Sequence, residues 1–195
     1  MTTTYSVRPV TEHEQQQAIS ALVMAFANDP VTRWAFPDPH QYLTHFPEFA
    51  RLFGGRAFDS GTAYCAGDFV AAALWLPPGV QPDEDGLIGL LQRAVAERQR
   101  EALFAILEET AEYHPAEPHW YLPLLGVDPP RQGQGYGSAL LARALEQCDS
   151  AGLPAYLESS NERNIPLYER HGFAVLGTVQ AGDSPPLWPM LRTSR

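Results

Sequence analysis

Residues 131–137 read Arg-Gln-Gly-Gln-Gly-Tyr-Gly, and no other stretch constrains this chain as tightly. Glycines at 133, 135 and 137 let the main chain turn without Cβ clashes, so consecutive N–H groups can point into one concavity. An apolar, strand-like stretch (residues 119–127) and an Asp128-Pro129-Pro130 turn precede the loop. A helix-like stretch follows, with Leu140, Leu141, Ala144, Leu145 and Cys148 at helical spacing. A strand, a glycine loop and a helix start form an anion site, because the first helical turn adds unpaired N–H donors and the positive end of its dipole. A pyrophosphate fits such a site.

The glycine register narrows which pyrophosphate. The dinucleotide fingerprint is Gly-x-Gly-x-x-Gly, a different spacing from 133, 135 and 137. The P-loop of nucleoside triphosphatases requires a lysine after its glycines, and every one of the 13 basic residues here is arginine. Nucleotide hydrolysis through a Walker lysine is excluded.

With 195 residues, 45% of them hydrophobic and 18% charged, the chain suits one globular domain. A net charge of −10 argues against a nucleic-acid partner and favours cationic small molecules such as amines. The start, Met-Thr-Thr-Thr-Tyr-Ser-Val-Arg, has no apolar core of a secretory signal, and no run of about 18 apolar residues suggests a membrane span. Cys65 and Cys148 lie far apart, and Cys148 continues an apolar helical stripe, so buried reduced thiols are expected. The expected location is cytoplasmic, with no membrane partner. Six histidines (13, 40, 45, 114, 119, 171) show no metal-ligand spacing, and no metal is expected.

Along the chain, residues 6–10 suggest a short strand, and Thr11-x-x-Glu14 is a capping box before a helix carrying Ala18, Ile19, Leu22, Val23 and Phe26. Residues 30–39, rich in proline and aspartate around Trp34 and Phe36, read as an ordered loop. A helix over 42–53 and a hairpin over 62–76 follow. Residues 83–113 read as helix, broken near Gln99. Beyond the glycine loop come a helix ending at Gly152, a strand over 155–159, a short helix over 165–170, a strand over 173–179 and an edge strand over 188–191.

The unit from 119 to 159 predicts two parallel strands joined by a right-handed crossover. Pro123 lies inside the first strand, where it removes a ladder donor, and this predicts a bulge that splays the pair. A splayed pair opens a crevice at the carboxyl ends of the strands, where open α/β sheets bind ligands.

Gln132-Gly133-Gln134-Gly135-Tyr136-Gly137 resembles the acyl-CoA loop of the GCN5-related N-acetyltransferases, whose pattern is Gln/Arg-x-x-Gly-x-Gly/Ala. The stretch from Tyr156 through Asn164 and Tyr168 to Gly172-Phe173 is similar to that superfamily's closing motif, in the right order and one helix away. The order of elements, the long helical segment and the Trp188-x-Met190 ending also look like the puromycin N-acetyltransferase group. The resemblance implies an α/β (α+β) fold with a central mixed, twisted sheet of about six to seven strands, a splayed parallel pair and helices on both faces. It implies one domain over 1–195, with a helical insertion at about 83–114, and either a monomer or a homodimer.

It further implies acetyl-CoA as co-substrate and a small-molecule primary amine, such as an aminonucleoside, as acceptor. A peptide N-terminal acetyltransferase and a non-catalytic acyl-CoA sensor are the competing readings. Amine acetylation needs a base for the ammonium, a donor to the oxyanion and a proton for the leaving thiolate. Tyr168, four residues after Asn164 on one helical face, takes the acid's place in the family's motif. Glu158, a carboxylate among apolar and small residues, is the candidate base. Donor contacts are expected from Leu125, Gly126 and Val127, from Arg131, Gln132, Gly133, Gln134, Gly135, Tyr136, Gly137 and Ser138, and from Asn164 with Tyr168. Trp34, Phe36, Trp75, His119 and Tyr121 are candidates for the acceptor pocket.

Overall fold

Residues 71–76, Ala-Ala-Ala-Leu-Trp-Leu, are apolar at every position because the strand they form, β3 (Ala71–Leu76), is buried on both faces. Around it lie β1 (Val7–Pro9), β2 (Ala63–Ala66), β4 (Trp120–Val127), β5 (Ala155–Ser159), β6 (Ala174–Val175) and β7 (Trp188–Arg192). The computed structural model describes residues 5–194, and within them the strands form one sheet in the order β1-β2-β3-β4-β5-β7-β6. All neighbours are antiparallel except β4 and β5, the parallel pair expected around the glycine loop.

Each face of the sheet carries its own core. Ala72, Leu74, Leu76, Tyr121, Leu124 and Tyr156 join helices α1 (Gln15–Phe26), α2 (Pro30–Ala35), α3 (Pro39–Gly54), α4 (Arg56–Asp59), α5 (Glu84–Ala94) and α6 (Glu97–Tyr113) on one side. Ala73, Trp75, Trp120, Leu122 and Leu157 join α7 (Tyr136–Ala151) and α8 (Ile165–Arg170) on the other. The 83–114 segment supplies Leu90, Leu91, Ala94, Val95 and Leu103 to the first core, so it is packed into the domain. No helix among the described residues is long and apolar enough to cross a membrane.

Several elements differ from the sequence reading. Residues 30–39 are mostly helical. Asp29-Pro30 and Asp38-Pro39, at the edges of the expected loop, are helix starts: each aspartate caps, accepting from Thr32 N and Gln41 N at 2.9 Å, and each proline takes the first helical position. The long helical segment breaks at Val95-Ala96 rather than near Gln99, since both residues have extended backbones. The strand expected over 173–179 shrinks to Ala174–Val175, with an isolated bridge from Val179 to Leu187. β7 is not an edge strand; it runs between β5 and β6. Gly152 does close α7 in a left-handed conformation (φ 65°), with Leu153 N donating to Cys148 O.

Pro123 has the effect its chemistry requires. The β3–β4 register jumps between Leu74↔Leu124 and Leu76↔Tyr121, so β4 bulges at residues 122–123. Side chains 121 and 124 consequently face the same core, three positions apart rather than two. On its other side β4 pairs with β5 only through Trp120↔Ala155 and Tyr121↔Tyr156. Beyond Tyr121 the parallel strands separate.

Candidate active site

The parting of β4 and β5 frees main-chain groups. Asp128 N donates to Val70 O at 2.8 Å, so residues 124, 126 and 128 form the bonded register with β3. The N–H and C=O of Leu125 and Val127 therefore point the other way, toward the crevice. Gln132 Nε2 donates to Val127 O at 3.2 Å, tying the loop to the strand end.

At the mouth of the crevice, Gly133 and Gly135 have φ of 73° and 99°, left-handed conformations that strain any other residue. Gly135 caps α7, whose first internal bond is donated by Ala139 N to Gly135 O. The N–H groups of Tyr136, Gly137 and Ser138 thus have no partner within the helix. Arg131, exposed, adds a positive charge, and the sixteen-residue helix adds its dipole. This arrangement fits a pyrophosphate. Tyr5 stacks on Tyr136 at 3.8 Å between ring centroids, a contact invisible in the sequence because it joins the chain's start to the loop. Ser138 Oγ lies 2.6 Å from His171 Nε2, just past α8.

The opposite wall is built from side chains. Glu158 on β5 accepts from Tyr121 Oη at 2.8 Å, and its other oxygen lies 3.2 Å from His114 Nε2. The Glu158 side chain is only 12% exposed. His114 packs between Tyr121 and Tyr156, with ring centroids at 4.8 and 4.2 Å. Burial and the adjacent carboxylate hold the Tyr121 and Tyr156 phenols well above the usual range, so both stay protonated. One residue past β5, Ser160 donates its hydroxyl to buried Asp29, the cap of α2, and burial raises that carboxyl.

The profile of the Acetyltransferase (GNAT) family matches residues 30–173, most of the chain and all of this crevice. The chain belongs to that family. An uncharacterized N-acetyltransferase of Schizosaccharomyces pombe is 30% identical over 182 residues, 86% of this chain and 74% of that protein. A mycothiol acetyltransferase of Clavibacter michiganensis is 34% identical over 132 residues, but these make up only 42% of its length. Among solved structures, a protein of Corynebacterium glutamicum described as histone acetyltransferase HPA2 and related acetyltransferase superposes with a TM-score of 0.71. It is 26% identical, with 99% of this chain and 98% of that chain covered.

In this GNAT acetyltransferase the residues singled out from sequence fall into three groups. Leu125, Val127 and the 131–138 loop border the crevice where β4 and β5 part, while Gly126 turns inward, where a Cβ would meet Ala25 at 2.5 Å. His119 and Tyr121 join the Glu158 wall. Trp75 and Phe36 do not belong to a pocket: Trp75 is fully buried in the α7 core, and Phe36 is 3% exposed in the other. Apolar bulk beside a polar strand reads the same in sequence whether it faces a ligand or a helix. Trp34 is half-buried and donates to Asp183 Oδ1 at 3.0 Å. Tyr168 is buried against Phe173, its phenol pushed up first by burial and then by Asp29, whereas Asn164 is exposed at the start of α8. His114 and Asp29 were missed. His114 and His119 bracket Pro115 and Pro118 in the sequence, and nothing in that spacing marks the first as a partner of Glu158.

Both cysteines are buried and unpaired, and burial pushes the Cys148 thiol up to about 12, which argues against a thiolate nucleophile there. Among the described residues no cluster of His, Cys, Asp and Glu is placed to hold a metal.

Proposed function

We propose that the protein acetylates the primary amine of a small molecule by direct attack on acetyl-CoA. The observation that carries this reading is Glu158, a mostly buried carboxylate held by Tyr121 and His114 where β4 and β5 part. Acetyl-CoA supplies an electrophilic thioester carbon and departs as a thiol. The N–H groups of residues 136–138 hold the pyrophosphate, and the crevice-facing N–H groups of Leu125 and Val127, with the C=O of Leu125, align the pantetheine arm and donate to the carbonyl oxygen as charge develops there. Glu158 takes the proton that the ammonium must lose before it can attack. Tyr168, kept protonated by burial, delivers a proton to the departing sulfur.

A small acceptor suits the local architecture. α2 is pinned on three sides: Asp29 to Ser160, Trp34 Nε1 to Asp183, and Gln99 Nε2 to Trp34 O. A helix fixed at the end of β5 favours a closed pocket over the open groove that a peptide needs. The acidic balance of the chain and the buried carboxylates of Asp29 and Glu158 favour a cationic amine, and an aminonucleoside is one such compound. Thermal-shift measurements with acetyl-CoA, followed by thiol release across a panel of amines, test the reading. Stabilisation plus amine-dependent release is expected. Stabilisation without release for any amine would leave only a sensor, and no stabilisation would overturn the reading.

A further inference from the structure

The polar contacts of Glu158 do not stop at His114, whose Nε2 lies 3.2 Å from Glu158 Oε1, an ion-pair distance when that ring is protonated. His114 Nδ1 lies 3.2 Å from His119 Nε2, and His119 Nδ1 lies 2.9 Å from the carbonyl oxygen of Glu117. The series runs from Glu158 Oε1 through His114 and His119 to an exposed main-chain carbonyl, with Pro115 and Pro118 stiffening the connection between the rings. Two of its steps, His114 to His119 and His119 to Glu117 O, are hydrogen bonds, and two neutral imidazoles supply one proton to each. The remaining step, Glu158 Oε1 to His114 Nε2, is a 3.2 Å contact that becomes an ion pair when the ring takes up a further proton.

From this arrangement, and resting on Glu158 as the base, we propose that His114 and His119 form a proton exit that carries the amine's first proton from Glu158 to solvent. Glu158 takes that proton from R–NH3+. His114 Nε2 accepts it from Glu158, His114 Nδ1 passes its own proton to His119 Nε2, and His119 releases one at the rim. The neutral amine then forms the N–C bond as the C–S bond breaks, and its second proton ends on sulfur by way of Tyr168. Charge and atoms balance as ammonium plus thioester giving amide, thiol and one released proton. The relay is needed because the Glu158 side chain is 12% exposed while that of His114 is 27% exposed and His119 is half-buried. The other titratable groups facing the pair are Tyr121 on β4 and Tyr156 on β5, with Tyr113 at the end of α6 behind Tyr156. The two phenols stay protonated in the neutral range and cannot take the relay's place.

The test is single-turnover thiol release in dilute buffer for wild type, His114→Ala, His119→Ala and Glu158→Gln, with and without added imidazole, a small base able to enter the gap. Both histidine variants should slow at least tenfold, retain acetyl-CoA binding, shift the acid limb of the pH–rate profile and regain most of their rate with imidazole. Wild type and Glu158→Gln should not respond to it. His119→Ala, at the open end, guards against a folding defect in His114→Ala. Histidine variants as fast as wild type, or slow ones that imidazole does not rescue, overturn the relay while leaving acetyl transfer intact. An inactive wild type, or an unimpaired Glu158→Gln, overturns the reading beneath it instead.

Discussion

The two walls of the crevice are made of different material. The donor wall, from Leu125 through the glycine loop to Ser138, is chiefly backbone: left-handed glycines, a strand edge released by Pro123, and a helix start. The acceptor wall, Glu158 with Tyr121, Tyr156, His114 and His119, is side chain throughout, drawn from β4, β5 and the α6–β4 connection. A backbone wall can be shared by every protein that binds the same donor, since it depends on a few glycines and a proline. A side-chain wall can change with each substitution, and the proposed function puts the choice of acceptor and the proton chemistry there. Tyr168 belongs to neither wall: it is packed in the α7 core, close enough to Asp29 to feel its charge.

If this division is right, substitutions should separate cleanly. Tyr168→Phe removes one hydroxyl from the reacting side and should lower kcat by about 10²–10⁴-fold while acetyl-CoA affinity changes less than about threefold, checked by thiol release and calorimetric titration. Alkaline pH comes next. Tyr121, Tyr156 and Tyr168 titrate above their unfolded value near 10, so folding stability is complete below pH 10 and lost above it, as the unfolded chain sheds protons that the folded chain retains. At about pH 11 the three together should cost about 4 kcal/mol, at about 1.4 kcal/mol per group and pH unit, visible in denaturant titrations across pH. Phenolate absorbance should appear only with unfolding for these three.

On the donor wall the expected effects are smaller and of the opposite kind. Gly135→Ala meets a left-handed penalty of about 1–2 kcal/mol, so acetyl-CoA should bind about 5- to 30-fold more weakly with kcat at saturation nearly unchanged. A fall in kcat with unchanged affinity would break the division. Tyr5→Ala loses an aromatic pair of about 0.5–1.5 kcal/mol against Tyr136 and should weaken acetyl-CoA binding by about 2- to 10-fold.

The same division explains what could be read from the chain beforehand. The glycine register, the missing lysine and Pro123 stand in the sequence as residue types with few other uses, so the loop, the parallel pair and its splay were legible. Asp29-Pro30 and Asp38-Pro39 misled because an aspartate–proline step starts a helix or a turn equally well, and only the hydrogen bonds to Thr32 and Gln41 separate the two. β7 was misplaced because an interior position between β5 and β6 comes from pairing across the sheet, which local pattern does not encode. Glu158 was visible as an isolated carboxylate in an apolar strand. His114 was not, since nothing in a run of six scattered histidines marks the one that folding brings within 3.2 Å of it.

The central claim is that Glu158 performs the proton chemistry on a donor site that does not depend on it. Acetyl-CoA affinity and amine-dependent thiol release, measured across pH on wild type and Glu158→Gln, test it most directly. The account predicts equal affinities, a rate at least 10²-fold lower in the variant, and loss of the wild-type acid limb. A variant that retains both the rate and the acid limb would contradict it.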